Sequence, residues 1–232
     1  MRVSGQQSRI VARFVLCLLL LTSCNRVRDG DTNYVSTSDL SQALIEVADL
    51  PTGWSETQRD LFDMRQPENP SIDNSLWCPK ASSSLGKLSN LTGDAGADVE
   101  MEYREGTGVA VALRLHAWSN EDVREYFSLA TRLVEQCDDE TWTDAEVSYT
   151  ENIVDGVEIG DDSISWEVKI ASSATSNAFS STNRITMVLI GDVIGVLQYG
   201  RNTTEASFSQ PENAAWLFVL DAALKRLEAR LP

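Results

Sequence analysis

Apolar residues recur at two different periods along this chain, and the switches between them set out the expected elements. Leu40, Leu44, Ile45 and Ala48 fall at helical spacing behind Ser38 or Asp39, either of which can cap, and Asp49-Leu50-Pro51-Thr52-Gly53-Trp54 stops that helix. Residues 55–75 are polar and proline-bearing, which predicts a strand fragment and a loop. Trp77-Cys78 then opens a weakly helical stretch to about Leu91. Period two takes over next: Val99, Met101 and Tyr103, then Val109, Val111, Leu113 and Leu115 beyond Glu105-Gly106-Thr107-Gly108, predict a β-hairpin. Ser119, with Asp122 three residues on, forms a variant capping box. The helix that follows carries Val123, Tyr126, Phe127, Ala130, Leu133, Val134 and Cys137 on one face.

Strands are expected at 146–153 and 163–170, the second pointing Ile164, Trp166, Val168 and Ile170 inward. The Ser-rich stretch 171–183 has one large apolar residue, Phe179, and so reads as a mobile connection able to serve as a lid. Residues 184–190 and 193–199 make a second hairpin through Gly191-Asp192. Pro211 suits the first turn of a closing helix with Trp216, Leu217, Leu220, Leu224, Leu227 and Leu231 on one face. This order predicts an α+β domain: an antiparallel sheet of about six strands, helices packed on one face, and a ligand cleft between them.

The first residues belong to a different kind of segment. Arg2, Arg9 and Arg13 precede an apolar run at 14–21, and its roughly 8 residues fall well short of the ~20 that span a bilayer. Leu21-Thr22-Ser23-Cys24 then reads as a bacterial lipoprotein processing site. The expected organisation is a signal peptide at 1–23, a membrane tether at 24–37 and a single domain at 38–232. Cys24 would carry the lipid, with diacylglycerol on the thiol and an acyl chain such as palmitate on the freed amine. The chain is thereby placed on the outer face of the cytoplasmic membrane.

Charge narrows the partners. The signal holds three of the 19 basic residues, so the processed chain has 16 basic against 35 acidic side chains, a net −19. That surface repels phosphate backbones, so nucleic-acid binding is excluded and membrane contact is left to the anchor. Once Cys17 and Cys24 are set aside, Cys78 and Cys137 remain. Two lone cysteines in an exported domain pair most simply with each other, and a redox role lacks a CxxC spacing.

Catalytic groups are hard to assemble. His116 is the single histidine and lies out of phase with Val109, Val111, Leu113 and Leu115. No Gly-x-Ser-x-Gly elbow accompanies it, and a zinc site lacks further ligands. Asp138-Asp139-Glu140 and Asp161-Asp162 lack calcium-loop spacing and read as solvated turns. No catalytic residue, metal or cofactor is expected.

Asp49-Leu50-Pro51-Thr52-Gly53-Trp54, Trp77-Cys78, Glu125-Tyr126-Phe127, Val134-Glu135-Gln136-Cys137 with Trp142 behind it, and a late hairpin at 188–197 occur in an order that resembles the PknH-like extracellular sensor domains. These occur on actinobacterial receptor kinases and on free-standing lipoproteins. The resemblance spans roughly 40–230 and implies a mixed sheet-and-helix domain with a ligand cleft and no enzymatic activity. The chain departs from the family in lacking a second cysteine pair. The leading expectation is a non-catalytic sensor that binds a small molecule or cell-envelope component, with Trp118, Trp142, Trp166 and His116 as candidate ligand contacts. The rivals are a docking lipoprotein that engages an envelope protein through a sheet face or the terminal helix, and a lipid carrier with an apolar cavity.

Overall fold

Alternation places the apolar residues of β2 (Ala95–Tyr103) and β3 (Val109–Ala117) on one face, and the two strands pair antiparallel with Val99 opposite Leu113. The hairpin expected there forms. The computed structural model describes residues 35–62, 78–81, 91, 93–104, 108–118, 122–144, 146–155, 159–172, 179–202 and 210–231, all within a compact unit spanning Tyr34–Pro232. The expected signal peptide, Cys24 and Ser119 lie outside the described residues, as does most of the helical stretch expected before Leu91.

The remaining strands are β1 (Trp54–Phe62), β4 (Glu140–Asp144), β5 (Val147–Ile153), β6 (Asp162–Ser172), β7 (Phe179–Ile190) and β8 (Val193–Asn202). They form one eight-stranded antiparallel sheet in the order β1-β2-β3-β8-β7-β6-β5-β4. Among the described residues the α-helices are α1 (Thr37–Ala43), α2 (Asp122–Gln136) and α3 (Gln210–Arg230). The chain runs β1 to β3, crosses by α2 to the far edge, and returns strand by strand until β8 pairs with β3. An α+β fold on an antiparallel sheet is therefore correct, but among the described residues eight strands replace about six. The unforeseen strand is β4, whose five residues show no apolar alternation, and β1 extends the expected fragment to nine residues. Its charged and polar side chains suit an edge, where they oppose pairing with a second chain.

The Ser-rich stretch is mostly sheet. Ile170 faces Ser181 and Ala171 faces Ser180, so the β6–β7 hairpin runs through most of the expected loop. Backbone pairing, rather than apolar burial, orders these serines. Only 173–178 stay outside the described residues.

α1 begins earlier than expected. Ser36 caps it: its hydroxyl accepts the Asp39 N–H at 3.2 Å, and Asp39 accepts the Ser36 backbone N–H at 2.9 Å. Hydrogen bonds from the Ser36 hydroxyl and backbone hold the Asp39 carboxyl below its usual range. The helix ends at Ala43, and Val35 just ahead of its cap is buried. Arg226 of α3 clasps the last turn of α1 and the segment after it, donating to the Gln42 carbonyl at 3.3 Å, to Glu46 and to Asp49 at 3.1 Å.

The helices do not share a face. Val111, Leu113 and Leu115 of β3, with Leu197 and Tyr199 of β8, pack in one cluster with α1 and α3. Ile194 of β8, Met187 and Leu189 of β7 and Trp166 and Val168 of β6 pack in another, with α2. Leu113 lies opposite Leu197, whereas Ile194 lies opposite His116 in the other phase, so the clusters occupy opposite faces. Two half-cores result, displaced along the sheet, with β8 contributing to both. On α2 the expected stripe is buried in full. On α3 Trp216, Val219, Leu220, Ala223 and Leu227 are buried, while Leu217 is 50% exposed and leaves the expected face.

Candidate functional site

Because α2 covers only part of its sheet face, its flank leaves a cleft of about 370 Å³ against the start of β6 and the end of β7. Residues 124, 128 and 132 recur every fourth position, so Arg124, Ser128 and Arg132 line up along that flank, with Thr131 and the Glu135 carboxylate beside them. Buried Phe127 and Leu189 form the floor. Asp161 and Asp162 form the opposite wall.

The acidic wall is held by its backbone. Asp161 accepts the Gly191 N–H at 2.9 Å, the Asp161 N–H donates to the Leu189 carbonyl at 2.8 Å, and Asp162 accepts the Ser163 N–H at 2.8 Å. Gly160 enters this turn at φ +65°, where a Cβ would stand 2.4 Å from the Leu189 carbonyl oxygen. On the helix wall Arg132 donates to Ser128, to its carbonyl at 3.2 Å and its hydroxyl at 3.1 Å. Arg124 has no ion-pair partner among the described residues, and no salt bridge crosses the cleft. The Thr131 hydroxyl is buried without a hydrogen-bond partner.

A second depression, of about 310 Å³, lies on the same sheet face beyond the reach of α2. Glu100, Glu102 and Arg114 edge it, the Asn183 and Gln198 amides bond to each other at 3.2 Å beside it, and Ala112 and Gly200 keep it hollow. Its outline is that of an uncovered sheet end.

The four ligand contacts expected from sequence line neither depression. Trp118 is 2% exposed and packs on Tyr126 with ring centroids 5.1 Å apart. His116 is half-buried 6.1 Å from the Trp118 ring, and desolvation, then Arg114, pushes its pKa down to about 4, so it is neutral. Trp166 is buried under α2. Trp142 stacks on Tyr149 near the β4 edge, 5.3 Å between centroids. His116 and Trp118 are neighbours, while Trp142 and Trp166 serve other parts of the sheet. The cleft's own polar residues had only one sequence signal, the Asp161-Asp162 pair, which reads equally as a turn.

The expected bridge is present: Cys78 and Cys137 are joined, with Cα atoms 5.7 Å apart. It ties the 3-10 turn Pro79–Ala81 to the end of α2, and Lys80 pairs with Glu140 alongside. No cluster of three or more His, Cys, Asp or Glu side chains suited to a metal occurs among the described residues.

The crystal structure of the extracellular domain of PknH from Mycobacterium tuberculosis is similar over 84% of this chain and 99% of that domain, with a TM-score of 0.54 at 10% sequence identity. The chain has the fold of the PknH extracellular domain. Within this PknH-like fold, the landmarks that suggested the resemblance sit at junctions: Leu50 to Trp54 leads into β1, and Cys78 and Cys137 make the bridge. LpqN, involved in cell envelope biogenesis of Mycobacterium tuberculosis, is a remoter likeness, with a TM-score of 0.24 and 9% identity over 74% of this chain and 87% of that one. No family model matches the chain, and no curated protein matches its sequence.

Proposed function

We propose that this protein is a lipid-anchored, extracytoplasmic binding module without catalytic activity, which holds a small polar molecule or envelope component in the cleft beside α2. The observation that carries the reading is the cleft itself: charged walls of both signs that no internal ion pair closes, over an apolar floor. Its volume is at the lower end of the ~300–1,000 Å³ of small-molecule sites. The PknH-like fold and the processing motif at Leu21 to Cys24 support the location, with Cys24 as the anchor.

A polar cleft over filled half-cores favours a sensor over a lipid carrier, which needs an apolar void. The docking alternative keeps one specific support: Leu217 and Phe218 are 50% and 47% exposed side by side on α3.

Ser128→Trp places an indole in the cleft from an exposed helix position. Fractions of the native envelope should raise the melting temperature of the wild type and leave that of Ser128→Trp unchanged. Equal shifts in both proteins, or none in either, would contradict the cleft reading.

A further inference from the structure

We infer that the cleft ligand is a zwitterion, a free amino acid or short peptide whose carboxylate meets Arg124 and Arg132 and whose ammonium meets Asp161 and Asp162. This rests on the cleft reading above. The argument is one of charge segregation. The two guanidiniums share the helix wall, with the Glu135 carboxylate at its C-terminal end, and Asp161 and Asp162 share the turn wall, yet no salt bridge joins the two walls across the gap. A plain anion would satisfy the arginines but face the aspartates within a protein already strongly negative. A plain cation would meet the reverse conflict. A molecule carrying both charges meets each wall with its opposite.

Chemistry at each wall fits. Guanidinium binds carboxylate through paired, charge-assisted hydrogen bonds, and Arg132 is steadied for this by Ser128. The aspartate turn is held by three backbone hydrogen bonds, so its charge is positioned before a ligand arrives. Between the walls the Ser128 hydroxyl supplies the hydrogen-bonding group that a peptide unit requires.

The test is calorimetric titration of the detergent-solubilised protein with alanine, trialanine, N-acetyl-trialanine and trialanine amide. Alanine or trialanine should bind, the better of the two showing whether the site takes amino acids or peptides. Each blocked peptide should bind at least about tenfold more weakly than trialanine, as expected for loss of one charge-assisted contact. The variant Arg124→Gln/Arg132→Gln should cease to discriminate against the amide while still rejecting the acetyl form, and Asp162→Asn should weaken rejection of the acetyl form. Blocked and free peptides binding alike would overturn the inference. So would failure of alanine and trialanine to bind while envelope fractions still raise the wild-type melting temperature, an outcome that leaves the cleft reading standing.

Discussion

Asp138 accepts the Ile153 backbone N–H at 2.7 Å, which pins its carboxylate against β5 close to Glu151. Glu151 is 1% exposed, lies opposite Glu140 and Val168, and neither of its carboxyl oxygens has a hydrogen-bond partner. Burial first, and the Asp138 charge second, push its pKa up from 4.5 to about 8. The folded protein therefore retains a proton that the unfolded chain releases above pH 4.5. The stability this neutral group contributes is complete below pH 4.5 and is lost as pH rises through about 8, by up to ~5 kcal/mol. Glu151→Gln keeps the shape and removes the titration. Urea unfolding at pH 5 and pH 9 should show the variant gaining on the wild type as pH rises; parallel losses in both proteins would disprove a buried, protonated Glu151.

The Cys78–Cys137 bridge closes a loop with a sequence separation of 59. Loop-closure entropy for that length is worth roughly 4 kcal/mol. Cys78→Ala/Cys137→Ala should unfold at correspondingly lower denaturant concentration, and reductant should lower the wild-type midpoint toward that of the variant. A wild-type midpoint indifferent to reductant would show that the bridge adds nothing.

Arg226 joins elements from the two ends of the domain, and its side chain is 18% exposed. Arg226→Ala removes its contacts with Asp49, Glu46 and the Gln42 carbonyl and should cost about 2 kcal/mol in urea unfolding. Lys225→Ala, which removes a pair between exposed Lys225 and Asp221, should be close to neutral. If both variants unfold like the wild type, the clasp does not tie α3 to α1.

Cys24→Ala should move the protein from the membrane fraction to the soluble one, since acyl chains contribute ~0.8 kcal/mol per buried CH₂ and a peptide tether contributes none. Retention of the variant in the membrane would remove the anchor assignment.

Local periods were legible in the sequence because each is written in a single segment. The stripe from Val123 to Val134 and the alternation through Val111 and Leu115 both form as read. What could not be read was which face each strand's apolar phase would take. Leu113 and Trp166 point to opposite sides only because register is carried from β3 through β8 and β7 to β6, and register is a property of pairing. Helices on both faces follow from that. The cleft was hidden for the same reason: Arg132 and Asp162 are brought to facing walls by the packing of α2, and each alone is an ordinary exposed charge. β4 was missed because an edge strand gains its order from its neighbour's backbone and needs no apolar pattern of its own.

Native mass spectrometry of the protein isolated from its own membrane, wild type beside Ser128→Trp, tests the central claim most directly. A ligand held in the cleft beside α2 should appear as a discrete mass adduct on the wild type and be missing from the variant. The same adduct on both proteins, or on neither, would contradict the account.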